Sequence, residues 1–256
     1  MGLDVDVALM NGGGVRNKAI TGELTYKSMK EIHTFGNVAC LQTVTGQQLL
    51  DALEWGAKDA GTAENGGFLH PSGLKYTIDT AIPSTVQKDD KGVWTGGPTG
   101  EYRVKDVQIF SKETGKYEPI DLNATYNLAG YNYTLRDLGD GFAMFGGAVN
   151  VLDYVMEDYM VLANYVKSFP EGKVTGYSSE PDWNRITILE APAEPEVPAE
   201  PTPVTYTVVK GDSLWKIAKN TYGKGSMWTI LYEANKTAIS DPNRIYVGQS
   251  LVIPAA

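Results

Sequence analysis

The chain has 256 residues, 42% of them hydrophobic and 21% charged, with a net charge of −9. That is the balance of an ordinary soluble globular protein of one or two domains. The charge is uneven: from Val204 onward six Lys and Arg stand against three acids, a net +3 that leaves −12 on the first 203 residues. An acidic body argues against DNA or RNA polymers as partners, because polymer binding relies on neutralising phosphates with a basic surface. It leaves room for one nucleotide held by one well-placed arginine. No apolar run approaches the ~18 residues of a membrane span. Cys40, the single cysteine, excludes an internal disulfide. The opening residues lack the basic and then apolar segments of a signal peptide. A start so close to a strand suggests a fragment whose upstream part lies elsewhere.

In chain order, Val5–Met10 has the apolar alternation of a strand, and Asn11-Gly-Gly-Gly-Val-Arg16 follows it as a Gly-rich turn. Phe35-Gly-Asn37 comes 19 residues after Arg16. Thr45 and Gln48 have capping-box spacing, with Val44 and Leu49 at the staple positions. Leu49, Leu50, Leu53 and Ala57 then share one face, which predicts an amphipathic helix over 45–60. Leu74–Asp79 alternates like a half-buried strand. Val104–Phe110 and Lys116–Asp121 flank Lys112-Glu-Thr-Gly115 as a hairpin. Thr125–Tyr133 predicts another strand. Asp158 is expected to cap a helix with Leu162, Tyr165, Val166 and Phe169 facing inward, stopped by Pro170. Arg185–Leu189 closes the domain as a strand. Strands outnumber helices without βαβ alternation, so the fold class is α+β with a mixed sheet.

Glu190–Pro203 alternates Pro and Glu, a composition that favours extended polyproline II. At about 3.1 Å per residue such a spacer spans roughly 40 Å. Beyond it, Tyr206–Val209, a helix capped by Asp212 or Ser213, a second helix capped by Ser226 and the strand Leu251–Ile253 predict a βααβ order. In the first helix Leu214, Ile217 and Ala218 face inward, and in the second Ile230, Leu231 and Ala234. The expected division is therefore 1–189, a linker over 190–203, and 204–256.

The chemistry concentrates near the first strand. A Gly-rich turn at a strand end lets backbone and ligand approach closely. An arginine fork offers planar donors, and an aromatic face beside an amide offers a place to stack and read a base. These are the parts of a nucleoside-binding cleft. By residue type alone the same segments also serve as a plain turn at Asn11, as core aromatics at Phe35 and Tyr133, and as an Asx-turn at Asp140.

Five segments together narrow this choice: Asn11-Gly-Gly-Gly-Val-Arg16, Gly22-Glu-Leu-Thr-Tyr26, Phe35-Gly-Asn37, Ser72-Gly-Leu-Lys-Tyr76, and Asn132-Tyr133 with Gly139-Asp-Gly-Phe142. With them, residues 3–190 resemble the C-terminal, substrate-binding domain of the 5′-nucleotidase family, which includes 2′,3′-cyclic-nucleotide 2′-phosphodiesterases. The resemblance implies that Phe35 and Tyr133 sandwich the base, that Arg16 and Asp140 meet the ribose hydroxyls, and that Asn11 and Asn37 complete the nucleoside site. Tyr133 stands seven residues before Asp140 where the family spacing is usually six, and Leu138 stands where a second glycine is common. Stacking contributes roughly 1–3 kcal/mol per ring with little regard to base identity. A carboxylate and a guanidinium across a diol accept and donate respectively.

Hydrolysis in that family uses two metal ions held by an N-terminal domain, an arrangement that needs several His, Asp and Asn ligands. This chain has only His33 and His70; His33 is expected on a strand, and both are expected to be structural or solvent-exposed. No catalytic residue, metal ligand or cofactor is assigned here, and divalent metal ions are expected only in a catalytic domain that this chain lacks.

Tyr206–Ala218, Asn235, Asp241-Pro242 and Ile245–Pro254 resemble a LysM module. The implied ligand is a glycan containing N-acetylglucosamine, in peptidoglycan or chitin. Gly211, Asp212, Ser213 and Leu214 are implied as one wall of its groove, and Asp241, Pro242 and Ile245 as the other. Gly211-Asp-Ser-Leu214 also spells the nucleophile block of an esterase family, but that chemistry needs a histidine base, and none follows His70. The combined expectation is the specificity part of an extracellular, wall-attached nucleotide phosphohydrolase. The alternative is a non-catalytic nucleoside-binding or adhesive wall protein.

Overall fold

The computed structural model describes residues 3–16, 20–175, 184–190 and 204–254. Residues 191–203, most of the expected spacer, lie outside them. The chain divides into two units, Met1–Pro192 and Ala193–Ala256. The first contains β1 (Val7–Asn11), α1 (Tyr26–Ile32), β2 (Val38–Thr45), α2 (Gly46–Gly56), β3 (Leu69–Ser72), β4 (Leu74–Asp79), β5 (Val86–Lys88), β6 (Trp94–Pro98), β7 (Val104–Ser111), β8 (Lys116–Pro119), β9 (Thr125–Tyr131), α3 (Asn132–Leu135), β10 (Val149–Glu157), α4 (Asp158–Ser168) and β11 (Ile186–Leu189). A five-stranded sheet runs β10-β2-β9-β1-β3, and a four-stranded sheet runs β11-β4-β7-β8. Both are mixed, so the α+β class is the observed one.

Register in the larger sheet fixes where the functional segments meet. β1 and β9 are parallel, with Val7 opposite Leu128, so both chains leave the sheet at the same end. β2 runs antiparallel to β9, with Ala39 opposite Tyr131, and its entrance lies at that end too. β3 is antiparallel to β1, with Asn11 opposite Leu69, which brings the residues before Leu69 to the same place. Four chain segments therefore converge on one edge.

α2 is enclosed on more than the face expected of it: Leu49, Leu53 and Ala57 are buried and Leu50 partly so, but Asp51, Ala52, Glu54 and Trp55 are buried as well. Thr45 caps it through the Gln48 amide, and the Gln48 side chain accepts from the Thr45 amide at 2.8 Å. Leu49, Leu53 and Trp55 are fully buried with Leu74, Ile78, Leu128, Phe142 and Phe145. Truncating such a leucine to Ala costs about 2–5 kcal/mol. The helix ends at Gly56, short of the expected residue 60. Buried Arg103 takes the carbonyls beyond its end, donating from Nη1 to Ala57 (2.9 Å), Lys58 (3.1 Å) and Ala60 (3.2 Å).

Several expectations are corrected. The strand from Thr125 stops at Tyr131, and Tyr133 belongs to α3. His33 is the C-cap of α1, not a strand residue. The helix itself is announced by a capping box between Thr25 and Ser28, a signal carried by hydroxyls rather than by apolar periodicity. In α4 the N-cap is Glu157, and Asp158 is the first helical residue. Its buried members are Asp158 and Ala163, while Tyr165 is 48% exposed; α4 lies on the sheet by a narrow stripe rather than by the broad face expected.

The second unit has β12 (Val204–Thr207) antiparallel to β13 (Ser250–Ile253), with α5 (Leu214–Tyr222) and α6 (Trp228–Ala234) between them. Ser213 caps α5 by accepting from the Lys216 amide at 3.3 Å. Ser226 does not cap α6: it sits in a 3-10 turn, and Met227 is the N-cap. Of the three residues expected to face inward on α6, Leu231 is buried, whereas Ile230 and Ala234 are exposed. Buried Asn235 joins α6 to β13, accepting from the Val252 amide at 2.7 Å and donating to its carbonyl at 2.8 Å.

Candidate functional site

At the shared edge of the larger sheet lies a cleft of about 450 Å³. Asn11, Arg16, Phe35, Asn37, Tyr133 and Asp140 all line it, together with the backbones of Gly13, Gly14 and Gly66. Asn11 is the last residue of β1, and Arg16 follows its 3-10 turn. Phe35 and Asn37 precede β2, Tyr133 follows β9, and Asp140 sits in the next loop. The walls are tied by backbone: the Gly13 amide donates to the Gly66 carbonyl at 2.8 Å and the Arg16 amide to Ile32 at 2.8 Å. Asn132 Oδ1 accepts from the Val38 amide at 2.8 Å, joining α3 to the start of β2.

Asp140 is the hub. Asn11 Nδ2 donates to its Oδ2 at 3.0 Å, and the Tyr133 hydroxyl donates to its Oδ1 at 2.9 Å. The Asp140 amide donates back to the Tyr133 oxygen at 3.2 Å, and the Trp55 indole donates to the Asp140 carbonyl at 2.9 Å. Burial, followed by the bond to Asp140, raises the Tyr133 pKa, so the ring keeps its proton and remains a donor. Asn11 is 4% exposed, and its Oδ1 is buried without a partner. Such an unpaired buried acceptor is rare, and it lies against the Gly14 backbone, 2.9 Å from where a Cβ there would stand.

Phe35 is 58% exposed, an unusual position for an aromatic ring of its size unless something covers it. The Arg16 guanidinium lies over it, with Cζ 5.2 Å from the ring centroid. Leu138 and Asp140 both have positive φ, 55° and 52°. The loop thus adopts at Leu138 the left-handed conformation that a glycine takes more readily, at roughly 1–2 kcal/mol for a residue with a Cβ.

Other hollows lie elsewhere in this unit, and two bear on the reading. One of about 850 Å³ is lined by residues of α1 and α4 and their flanking segments; it is larger, but it brings together none of the stacking and amide groups of the cleft. The other contains both histidines, beside Ala8 and Met10 on the sheet face opposite Val7 and Leu9. There His33 Nδ1 and the Tyr131 hydroxyl share a hydrogen bond at 2.9 Å, and burial lowers the pKa of His33. That environment favours neutral imidazole in a packed role.

In the second unit a groove of about 400 Å³ is lined by Asp212, Ser213, Leu214, Pro242 and Ile245. Gly211 and Asp241, expected in its walls, do not line it. Trp215, Trp228 and Asn243 do. The turn at Asp212 aims Oδ2 inward, accepting from the Tyr206 hydroxyl at 2.8 Å and the Val209 amide at 2.9 Å. Trp215, half exposed beside Leu214, was not among the expected wall residues, which were drawn from the turns flanking the helices.

Residues 2–147 match the family model for the 5′-nucleotidase, C-terminal domain, and residues 206–254 match that for the LysM domain. The chain is 29% identical over 163 residues to the trifunctional nucleotide phosphoesterase protein YfkN of Bacillus subtilis, a match covering 63% of this chain and 10% of that protein. Over 52 residues it is 58% identical to the resuscitation-promoting factor Rpf of Micrococcus luteus, covering 20% of this chain and 23% of that one. Among solved structures it is similar to a 5′-nucleotidase precursor from Thermus thermophilus, with 30% identity, a TM-score of 0.57, and coverage of 73% of this chain and 32% of that one. The chain thus spans between a tenth and a third of the length of these proteins.

Proposed function

We propose a function from this premise: the chain belongs to the 5′-nucleotidase C-terminal domain family and carries a LysM domain after it. Its first unit recognises the nucleoside part of a nucleotide for phosphoester hydrolysis, and its second attaches it to wall glycan outside the cell. One observation carries the first half. Six residues drawn from four separate segments line a single cleft that holds two rings, two amides, a cation and an anion.

In this reading the base stacks between Phe35 and Tyr133, and the Asn11 and Asn37 amides meet polar edges of the ligand. Asp140 accepts from a ribose hydroxyl, and Arg16 donates to the sugar. The rings discriminate weakly among bases, because every base has a π-face. Selectivity therefore falls on the presence of a nucleoside rather than on its identity. Among the described residues no three His, Cys, Asp or Glu side chains are grouped so as to hold a metal ion. We derive no metal-assisted step on this chain and assign hydrolysis to a separate catalytic domain.

For the tether, the groove between Asp212–Leu214 and Pro242–Ile245 takes an N-acetylglucosamine unit, with Trp215 or Trp228 covering an apolar sugar face. No helix among the described residues is long and apolar enough to cross a membrane; in this reading the glycan contact itself supplies the attachment.

Two measurements test the halves separately. In a thermal-shift series, adenosine, guanosine and uridine raise the melting temperature of the chain while inorganic phosphate does not; stabilisation by phosphate alone contradicts nucleoside recognition. In sedimentation with purified peptidoglycan, the full chain pellets and a chain ending at residue 190 stays in solution. Equal partition of the two contradicts the tether.

A further inference from the structure

We propose that Trp55, buried on α2 and outside the cleft lining, is a positioning residue that makes the cleft prefer a ribosylated ligand to a free base. The proposal rests on the nucleoside reading above and extends it to a residue that touches no ligand. Trp55 is 1% exposed, and its indole N–H is spent on one acceptor, the carbonyl of Asp140, at 2.9 Å.

The need for that bond lies in the loop it holds. Asp140 has φ 52° and ψ 17°, a left-handed conformation that a residue with a Cβ holds only when its surroundings over-determine it. Its neighbours do not restrain it by themselves, since glycine on either side adopts many conformations. They are restrained instead by rings. A Cβ on Gly139 would stand 2.4 Å from the Tyr133 ring, and one on Gly141 would stand 2.8 Å from the Gly92 carbonyl oxygen and 3.1 Å from Trp55 Cζ2. The loop is wedged between two aromatic side chains, each of which also bonds it: Tyr133 takes the Asp140 amide and Trp55 takes the Asp140 carbonyl.

The carboxylate direction follows from that clamp. Asn11 and Tyr133 meet the two carboxylate oxygens only while the backbone stays left-handed. If the Trp55 bond is lost, the part-buried carbonyl loses its donor, and the left-handed backbone at Asp140, which aims the carboxylate, loses one of its two aromatic restraints. The exposed Phe35 face does not depend on this bond, because Phe35 is on another segment and makes no bond to the Asp140 loop. Loss of Trp55 N–H should therefore weaken contacts to the sugar and spare those to the base.

The experiment uses the full chain and calorimetric titration with adenosine and with adenine. Trp55→Phe keeps an apolar ring in the core and removes the donor. Leu53→Val, in the same helix and fully buried, controls for destabilisation alone. Losing one hydrogen bond of this kind corresponds to about a tenfold effect. The expected result is adenosine affinity about tenfold weaker in Trp55→Phe with adenine affinity unchanged, and an unchanged ratio in Leu53→Val. A Trp55→Phe chain with the wild-type ratio, or with both ligands weakened in parallel as in Leu53→Val, overturns the proposal while leaving the cleft reading intact. A wild-type chain that prefers neither ligand overturns both. If Trp55→Phe does not fold, the indole N–H resonance of Trp55 decides in the wild type. It should be slow to exchange and shift on adding adenosine but not adenine; equal shifts with both ligands, or none, overturn the proposal.

Discussion

Arg16 and Phe35 are stacked on each other, guanidinium over ring at 5.2 Å. The cation assigned to the sugar and the ring assigned to the base thus share one face before any ligand arrives. A base that takes this face must displace the guanidinium, and a cation–π contact at an exposed site is worth about 0.5–1 kcal/mol. Arg16→Ala should therefore have opposite effects on two ligands: adenine bound about two- to fivefold more tightly, and adenosine more weakly because a sugar donor is lost. Calorimetry with the two compounds checks this, and a change of the same sign for both would mean that the stack is incidental.

Tyr133 offers a ring and a hydroxyl with separable duties. Tyr133→Phe retains the ring and removes the bond to Asp140 Oδ1 as well as the acceptor of the Asp140 amide. Adenosine affinity should fall about five- to tenfold, and Tyr133→Ala should lose the stacking contribution as well. Equal losses in the two variants would show that the ring does not stack on the ligand.

Stability rests on a buried charge that the ligand never meets. Arg103 donates to the carbonyls of Ala57, Lys58, Ala60 and Ile82, while the Arg103 and Val104 amides both bond the carboxylate of buried Glu54. Arg103→Ala leaves the part-buried carbonyls of Lys58 and Ala60, just past the end of α2, and of Ile82 without this donor. Urea denaturation should show a loss of about 3 kcal/mol or more; a loss under about 1 kcal/mol would mean that water replaces the guanidinium freely.

The pKa values of both histidines are lowered in the folded chain: at buried His33 by burial, which Asp158 partly opposes, and at His70 by partial desolvation, although its side chain remains exposed. The unfolded chain then binds protons more readily, so their contribution is present above about pH 6.5 and is lost as pH falls towards the folded values. Glu54 and Asp158 act in the opposite sense. Their pKa values are raised by burial, which favours the folded state at low pH and loses that contribution as pH rises. A variant carrying His33→Gln and His70→Gln isolates the first effect. Its urea midpoint should vary less between pH 7.5 and 5.5 than that of the wild type, and an identical variation would contradict the assignment.

Cys40 is buried on β2, and burial pushes its thiol pKa up to about 11. The thiolate is the reactive form, so a thiol reagent at pH 8 should leave the folded chain unlabelled and label it fully in denaturant. Rapid labelling of the folded chain would place Cys40 on an opening segment.

What the sequence disclosed depended on whether the signal was local. The capping box at Thr45, the alternation of Leu74–Asp79 and the hairpin around Lys112–Gly115 are short-range patterns, and each has its counterpart in the fold. The cleft was legible because strand ends and glycine turns carry its residues, and the register of β1, β2 and β9 brings them together. Trp55 was not legible. Its indole reaches Asp140 across 85 residues of sequence, and on α2 it has the signature of any core aromatic. The groove tryptophans lie on helices, whereas the expected walls were drawn from the flanking turns. The narrow buried stripe of α4 was hidden because Leu162, Tyr165 and Phe169 are apolar without being enclosed.

Whether an aromatic clamp built on Phe35 holds a nucleoside is decided by calorimetric titration of adenosine into the wild-type and Phe35→Ala chains. Stacking on one ring contributes about 1–3 kcal/mol, so Phe35→Ala should lose roughly five- to 150-fold in affinity with the melting temperature nearly unchanged, since the ring is exposed. An adenosine affinity that is the same in both chains would contradict it.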